Sequence, residues 1–224
     1  MTGFTKQSFA VLGALAENNN RDWYEANKAE IKRAARVPFA GMLEVTTALL
    51  AGSRYPLIGG EKTMFRQHRD VRFSKDKTPY KPTVSGLLTP DGTKAEMGGV
   101  VYAQIDPAGG MMAAGFYQLA TAELNKVRDR MIADAGTFGD LVEALQDKGY
   151  PLSRDNSLKT MPRGMKQHED HPLADLLKLK GYTVSKPQPQ DVWISGDIVE
   201  ELVHLAEAMG PLNAWIRAAL TYGD

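Results

Sequence analysis

Apolar positions in the first fifty residues recur at helical spacing. Phe9, Leu12, Leu15 and Ala16 form a short apolar face that ends before Asn18-Asn19-Asn20. One of these asparagines is placed to cap the next helix, because its side chain can accept from the free amides of a first turn. In that second helix Trp23, Asn27, Ile31 and Ala34 repeat on one face. Pro38 is expected to break or kink it, after which Phe39, Met42, Leu43, Thr46 and Leu50 resume the period.

From Met64 the rhythm changes to two. Phe65, Val71 and Phe73 take odd positions while Arg66, His68, Asp70 and Arg72 take even ones, which predicts a strand. Further strands are predicted over residues 83–88, 97–105 and 111–117, with a turn at Asp106-Pro107-Ala108-Gly109-Gly110. Such short connections call for antiparallel pairing. Helical patterns return over residues 120–133 and 137–148, and a loop leads on to residues 158–161. Pro172 suits the start of a short helix through Leu179, and residues 182–186 read as one more strand. The last helix begins at Asp197, which has capping-box spacing with Glu200, and Pro211 is expected to interrupt it before Trp215, Ile216 and Leu220. Helices, then strands, then helices predict an α+β fold, with a central, mainly antiparallel sheet packed by amino-terminal and carboxy-terminal helices. With 224 residues, no internal repeat and no long linker, residues 1–224 are read as a single domain.

Composition narrows the chemistry. A hydrophobic share of 43% is enough for a sizeable core, and no apolar run reaches a membrane span of about eighteen residues. The first twenty residues have neither a basic cluster nor a long apolar core, so no secretory signal is expected. Cysteine is absent, which excludes disulfides, thiolate nucleophiles and cysteine-ligated zinc or iron–sulfur clusters. These features fit a cytoplasmic protein without a membrane partner. The sequence contains no phosphate-binding loop of the G-x-x-x-x-G-K-[ST] type, no G-x-G-x-x-G and no G-x-S-x-G elbow, and no cofactor is implied. His168-Glu169-Asp170-His171 lacks the spacing of H-E-x-x-H and is read as a polar loop leading to Pro172, with no metal site.

Charge is balanced overall, with 27 basic and 27 acidic residues, but not locally. Between Lys62 and Lys81 seven basic residues face only Asp70 and Asp76, a net of +5, so the remainder carries about −5. A focused positive patch on a mildly acidic body favours anion binding over general coating of nucleic acid. On a strand, Arg66, His68, Asp70 and Arg72 would share one face, and Arg69 would lie on the other with Phe65 and Val71. Asp70 is then placed to brace Arg66 and Arg72. Arg69 needs a carboxylate, with Asp22 or Glu25 as candidates, because an unpaired guanidinium is costly to bury. The following stretch carries Lys75, Asp76, Lys77 and Tyr80 in a loop pinned by Pro79 and Pro82. Arginine forks beside mobile lysines suit phosphate or carboxylate, and Tyr80 could stack on a base or pack against the sheet. Arg21 and Trp23 read as supporting residues.

Arg66-x-x-Arg69-Asp70-x-Arg72-Phe73 followed by Asp76-Lys77-x-x-Tyr80 resembles the signature of a bacterial family, the domain of unknown function 2461. The resemblance runs from about Phe4 to Leu220 and takes in Asn19-Asn20-Arg21-Asp22-Trp23-Tyr24, Asn27-Lys28, Pro38-Phe39, Pro162-Arg163-Gly164 and His171-Pro172-Leu173-Ala174-Asp175. Met111-Met112-Ala113-Ala114-Gly115 departs from it, because the family is richer in glycine there. The resemblance implies one full-length domain and assigns no catalytic roles. The leading expectation is binding of a small anionic or phosphate-bearing ligand by Arg66, Arg72, Lys75 and Lys77, with Asp70 as organiser. The alternatives are an enzyme with Asp70 or Asp76 as general base and the arginines as charge stabilisers, an interaction module whose basic loop docks on an acidic protein or on nucleic acid, or a structural network in which the Arg–Asp pairs lock the loop without touching a ligand. Nucleic acid is the less favoured partner, and oligomeric state is left open.

Overall fold

Local chemistry starts each helix of the amino-terminal layer in the computed structural model, which describes residues 3–95 and 98–221. The Ser8 hydroxyl accepts from the Thr5 amide at 3.1 Å and opens α1, Lys6–Glu17, which buries Phe9, Leu12 and Leu15. Asn20 then caps α2, Arg21–Ile31, its Oδ1 accepting from the Trp23 amide at 3.0 Å. Pro38 does not end the helical run. Residues Lys32–Arg36 widen into a π turn, the Val37 amide donates to the Lys32 carbonyl, and α3 continues over Val37–Leu50. Proline has no N–H to give and crowds the carbonyl four residues back, and the wider turn absorbs both defects.

Four strands follow in the sheet: β1 (Val84–Leu88), β2 (Gly98–Asp106), β3 (Gly109–Phe116) and, after an excursion, β4 (Tyr182–Pro187). They pair antiparallel in the order β1-β2-β3-β4. Met97, the predicted first residue of the second strand, lies outside the described residues. The register places Val101 opposite Ala114 and Leu88, and Ala103 opposite Met112, on one buried face. Tyr102, Gln104 and Ala113 alternate onto the other, half-open face, where Tyr102 donates to Gln104 at 2.8 Å.

The excursion between β3 and β4 contains α4 (Thr121–Ala133), α5 (Ala135–Asp147) and the single turn α6 (Ala174–Leu177). Beyond β4 come α7 (Gln190–Ser195) and α8 (Ile198–Leu220). Helices α1, α3, α7 and α8 pack on the strands, and α4 and α5 pack against α8. One buried apolar cluster links Phe4 and Phe39 to Met112, Trp193 and Ile216. The architecture is α+β, with an antiparallel sheet packed by amino-terminal and carboxy-terminal helices.

Two features of the last helix differ from expectation. Asp197 is already helical, at φ −61° and ψ −20°, and its side chain makes no cap, because capping needs an extended residue whose side chain folds back. Pro211 lies inside an unbroken α8. Burial of Leu205, Met209, Leu212 and Ile216 on one face holds the helix together across the missing hydrogen bond. The helix opened by Pro172 is likewise shorter than expected, ending at Leu177. Among the described residues no helix is long and apolar enough to cross a membrane.

Candidate functional site

The charged segment is not a strand. Residues 65–80 form an irregular loop held by single bridges, Met64 to Gly86 and His68 to Tyr80. Two rungs close its neck, the Arg69 amide to the Pro79 carbonyl at 2.9 Å and the Lys81 amide to the Gln67 carbonyl at 2.8 Å. Pro79 and Pro82 have no N–H to extend that ladder, so the alternation of charged and apolar residues never becomes a sheet.

The neck is clamped from outside. The Asn19 carboxamide donates to the Tyr80 carbonyl at 2.8 Å and accepts from the Tyr80 amide at 3.0 Å. The Tyr80 ring is only 4% exposed and stacks on Tyr24, with centroids 3.8 Å apart and planes 10° apart. His68 meets both rings edge-on. Tyr80 is therefore an anchor of the loop rather than a surface for a ligand to stack on, because its ring is buried against Tyr24 and His68 and its backbone is held by Asn19. The Asn18-Asn19-Asn20 triplet suggested only a helix cap, and the clamp across 61 residues had no local signal.

Inside the loop the charges brace one another. Arg69 does not reach Asp22 or Glu25. Its Nη1 donates to the Asp76 carboxylate and to the Thr78 hydroxyl at 2.7 Å, and that hydroxyl donates to Asp76 at 2.8 Å. The irregular backbone brings residues seven apart together, which a straight strand would hold far apart. Asp70 takes the Arg72 fork at 2.6 and 3.0 Å and also the Arg72 amide, whereas Arg66 acts on it only through its field. Lys77 donates to the Val71 carbonyl at 2.9 Å. Arg66, Arg72, Lys75 and Lys77 are exposed, as is Phe73 at 95%, with the Arg72 guanidinium 5.9 Å from its ring centre. Trp23 packs half-buried against the core and Arg21 is exposed on the first turn of α2.

Hydrogen bonds set the ionisation of the two carboxylates. The Thr78 amide and hydroxyl, then Arg69, pull Asp76 down to about 2. Arg72 holds Asp70 below the usual carboxylate range. Because the folded-state value of Asp76 is depressed, its bracing is fully present above the ordinary carboxylate range and is lost as pH falls through about 2. A carboxylate-detected NMR titration should place the Asp76 midpoint near 2, and Arg69→Ala should raise it. A midpoint at the ordinary aspartate value in the unaltered protein would contradict the bracing.

Elsewhere, His171 Nδ1 accepts from the Leu173 amide at 3.1 Å, so the His168–His171 segment shapes the entry to α6. Among the described residues no group of three acidic or histidine side chains converges on a common point. A cleft that sequence reading missed lies at the start of α4, lined by Arg128, Arg163 and Lys180. The outer two are 52 residues apart along the chain, and only Pro162-Arg163-Gly164 stands out in the sequence.

No curated protein and no solved structure matches the chain. A family described as conserved hypothetical protein (DUF2461) matches residues 7–215, a span that contains both the Asn19 clamp and the braced loop. Coverage of nearly the whole chain, with the loop signature inside it, means that the protein belongs to the DUF2461 family.

Proposed function

We propose that the protein is an interaction module that docks on an acidic face of another protein through the tip of the 65–80 loop. The supporting observation is Phe73, 95% exposed beside the Arg72 guanidinium, on a loop that also exposes Arg66, Lys75 and Lys77 and is braced by its own ion pairs. A single exposed aromatic flanked by cations has the makings of an anchor with steering charges. Single-stranded nucleic acid is usually held by several stacking rings along a groove, and the loop offers one ring on an open tip. Asp70 and Asp76 serve as braces in this reading. Their lowered pKa values make them weak bases near neutrality, which counts against the catalytic alternative. A cytoplasmic setting suits a chain without cysteine.

Fluorescence anisotropy with a labelled peptide of alternating glutamate and leucine tests this reading. Binding is expected to weaken with added salt and to vanish when Arg66, Arg72, Lys75 and Lys77 are all changed to Ala. Phe73→Ala should weaken it about tenfold or more, the equivalent of losing a buried ring. Tighter binding of a labelled single-stranded oligonucleotide would transfer the site to nucleic acid. No peptide binding, or equal binding by the fourfold variant, would overturn it.

A further inference from the structure

A second cationic site lies apart from the loop, and its chemistry is different. The cleft between the start of α4 and residues 156–164 has a volume of about 880 Å³, within the size range of small-molecule sites. Its lining includes Arg128, Arg163 and Lys180 and no acidic residue. Glu123, on the first turn of α4, is turned back onto the Ala120 amide at 2.7 Å.

Arg128 forms the inner wall, and its side chain is tied down. Only 3% exposed, it donates from Nε to the Leu177 carbonyl at 2.8 Å and from Nη2 to the Leu179 carbonyl at 3.1 Å. Nη1 makes a long contact of 3.4 Å with Asn125. A guanidinium has five N–H donors, so these three contacts leave two without an acceptor among the described residues. More important, all three partners are neutral. Among the described residues no carboxylate pairs with Arg128, although a buried guanidinium ordinarily requires one. Burial pulls its pKa down, but a guanidinium in a protein stays charged, so the positive charge persists in the wall. The Tyr182 hydroxyl, buried and without a hydrogen-bond partner among the described residues, lies within electrostatic reach of it.

The rest of the lining matches one kind of ligand. Arg163 and Lys180 are exposed at the mouth, and α4 begins at the rim, so the positive end of its dipole adds to the field. Asn125, Asn156 and Gln118 supply neutral donors and acceptors, and Leu119, Leu124 and Leu158 give an apolar surface. Phosphate oxygens and carboxylates are the groups that a guanidinium fork recognises best. We infer that this cleft binds a small organic oxyanion with at least two negative charges, its charged group against Arg128 and its body along the leucines. The binding is independent of the loop.

Isothermal titration calorimetry and thermal unfolding at constant ionic strength, with inorganic pyrophosphate in one arm and citrate in the other, test the inference. At least one anion should bind and raise the unfolding midpoint, as expected for a ligand that favours the folded state. Pyrophosphate alone would assign a phosphorylated ligand, and citrate alone a polycarboxylate. Arg163→Ala combined with Lys180→Ala, both on the surface, should weaken binding at least about tenfold and leave the ligand-free midpoint unchanged. The fourfold loop variant should bind as the unaltered protein does. Failure of both anions at millimolar concentration, undiminished binding by the cleft variant, or loss in the loop variant instead would overturn the assignment.

Discussion

Gly115→Ala is expected to lower the free energy of unfolding by at least about 3 kcal/mol, a large share of the 5–15 kcal/mol typical of a domain. Gly115 pairs with Thr183 across β3 and β4 at a φ of +119°, a region that L side chains rarely adopt. A Cβ there would stand 2.1 Å from the Tyr182 carbonyl oxygen and 2.8 Å from Met209 Cε on α8. The side chain of Met209 can swing aside, but the carbonyl belongs to the ladder and cannot move without opening it. Positive φ alone costs about 1–2 kcal/mol for an alanine, and the collision adds the overpacking penalty. Gly41→Ala is the control. It lies on α3 with open space around it, so the same change should stabilise by about 0.5–1 kcal/mol. Urea unfolding of both variants checks the pair, and a Gly115→Ala protein as stable as the parent would mean that β3 and β4 pair differently.

Asn19→Ala carries the second large effect, about 2–4 kcal/mol of destabilisation. The substitution removes two hydrogen bonds and leaves the amide and carbonyl of buried Tyr80 without partners. Each orphaned group costs about 1–3 kcal/mol, more than the bond itself contributes. Hydrogen exchange gives the local readout, because the Arg69 and Lys81 amides close the loop neck beside the clamp and should lose protection together. Asn18→Ala removes only an exposed side-chain bond to the Ala14 carbonyl and should change stability by less than about 0.5 kcal/mol. Equal effects at the two positions would show that the clamp contributes little. If the clamp holds, the outward side chains of the loop tip inherit their fixed spacing from a residue on the α1–α2 corner.

The two cationic regions differ physically. The loop holds much of its own charge in Asp70–Arg72 and Asp76–Arg69 pairs and presents the surplus on an open tip, where water screens it. Beside the cleft, Arg128 is buried and, among the described residues, bonded to neutral partners only, so the same unit of charge acts more strongly. A large acidic surface suits the first and a small oxyanion the second. Salt should therefore weaken binding to the loop more than binding to the cleft.

Hydrophobic periodicity and turn chemistry carried the regular elements. The helices at residues 6–17 and 121–133, the strands at 84–88 and 182–187 and the antiparallel hairpin between them were legible because each depends on neighbours a few residues away. The charge surplus of residues 62–81 was equally plain, since it needs only counting. How those charges pair was decided at longer range. Pro79 and Pro82 deny the segment a ladder, Asn19 closes its neck from 61 residues away, and Arg69 turns to Asp76 because the loop folds back on itself. Pro38 is absorbed by the π turn before it, and Pro211 by burial of the α8 face, which outweighs one lost hydrogen bond. Arg128 is the clearest case. In sequence it is one more basic residue on an amphipathic helix. Only the docking of residues 177–180 against α4 buries it, gives it carbonyls instead of a carboxylate, and leaves its charge facing a cleft.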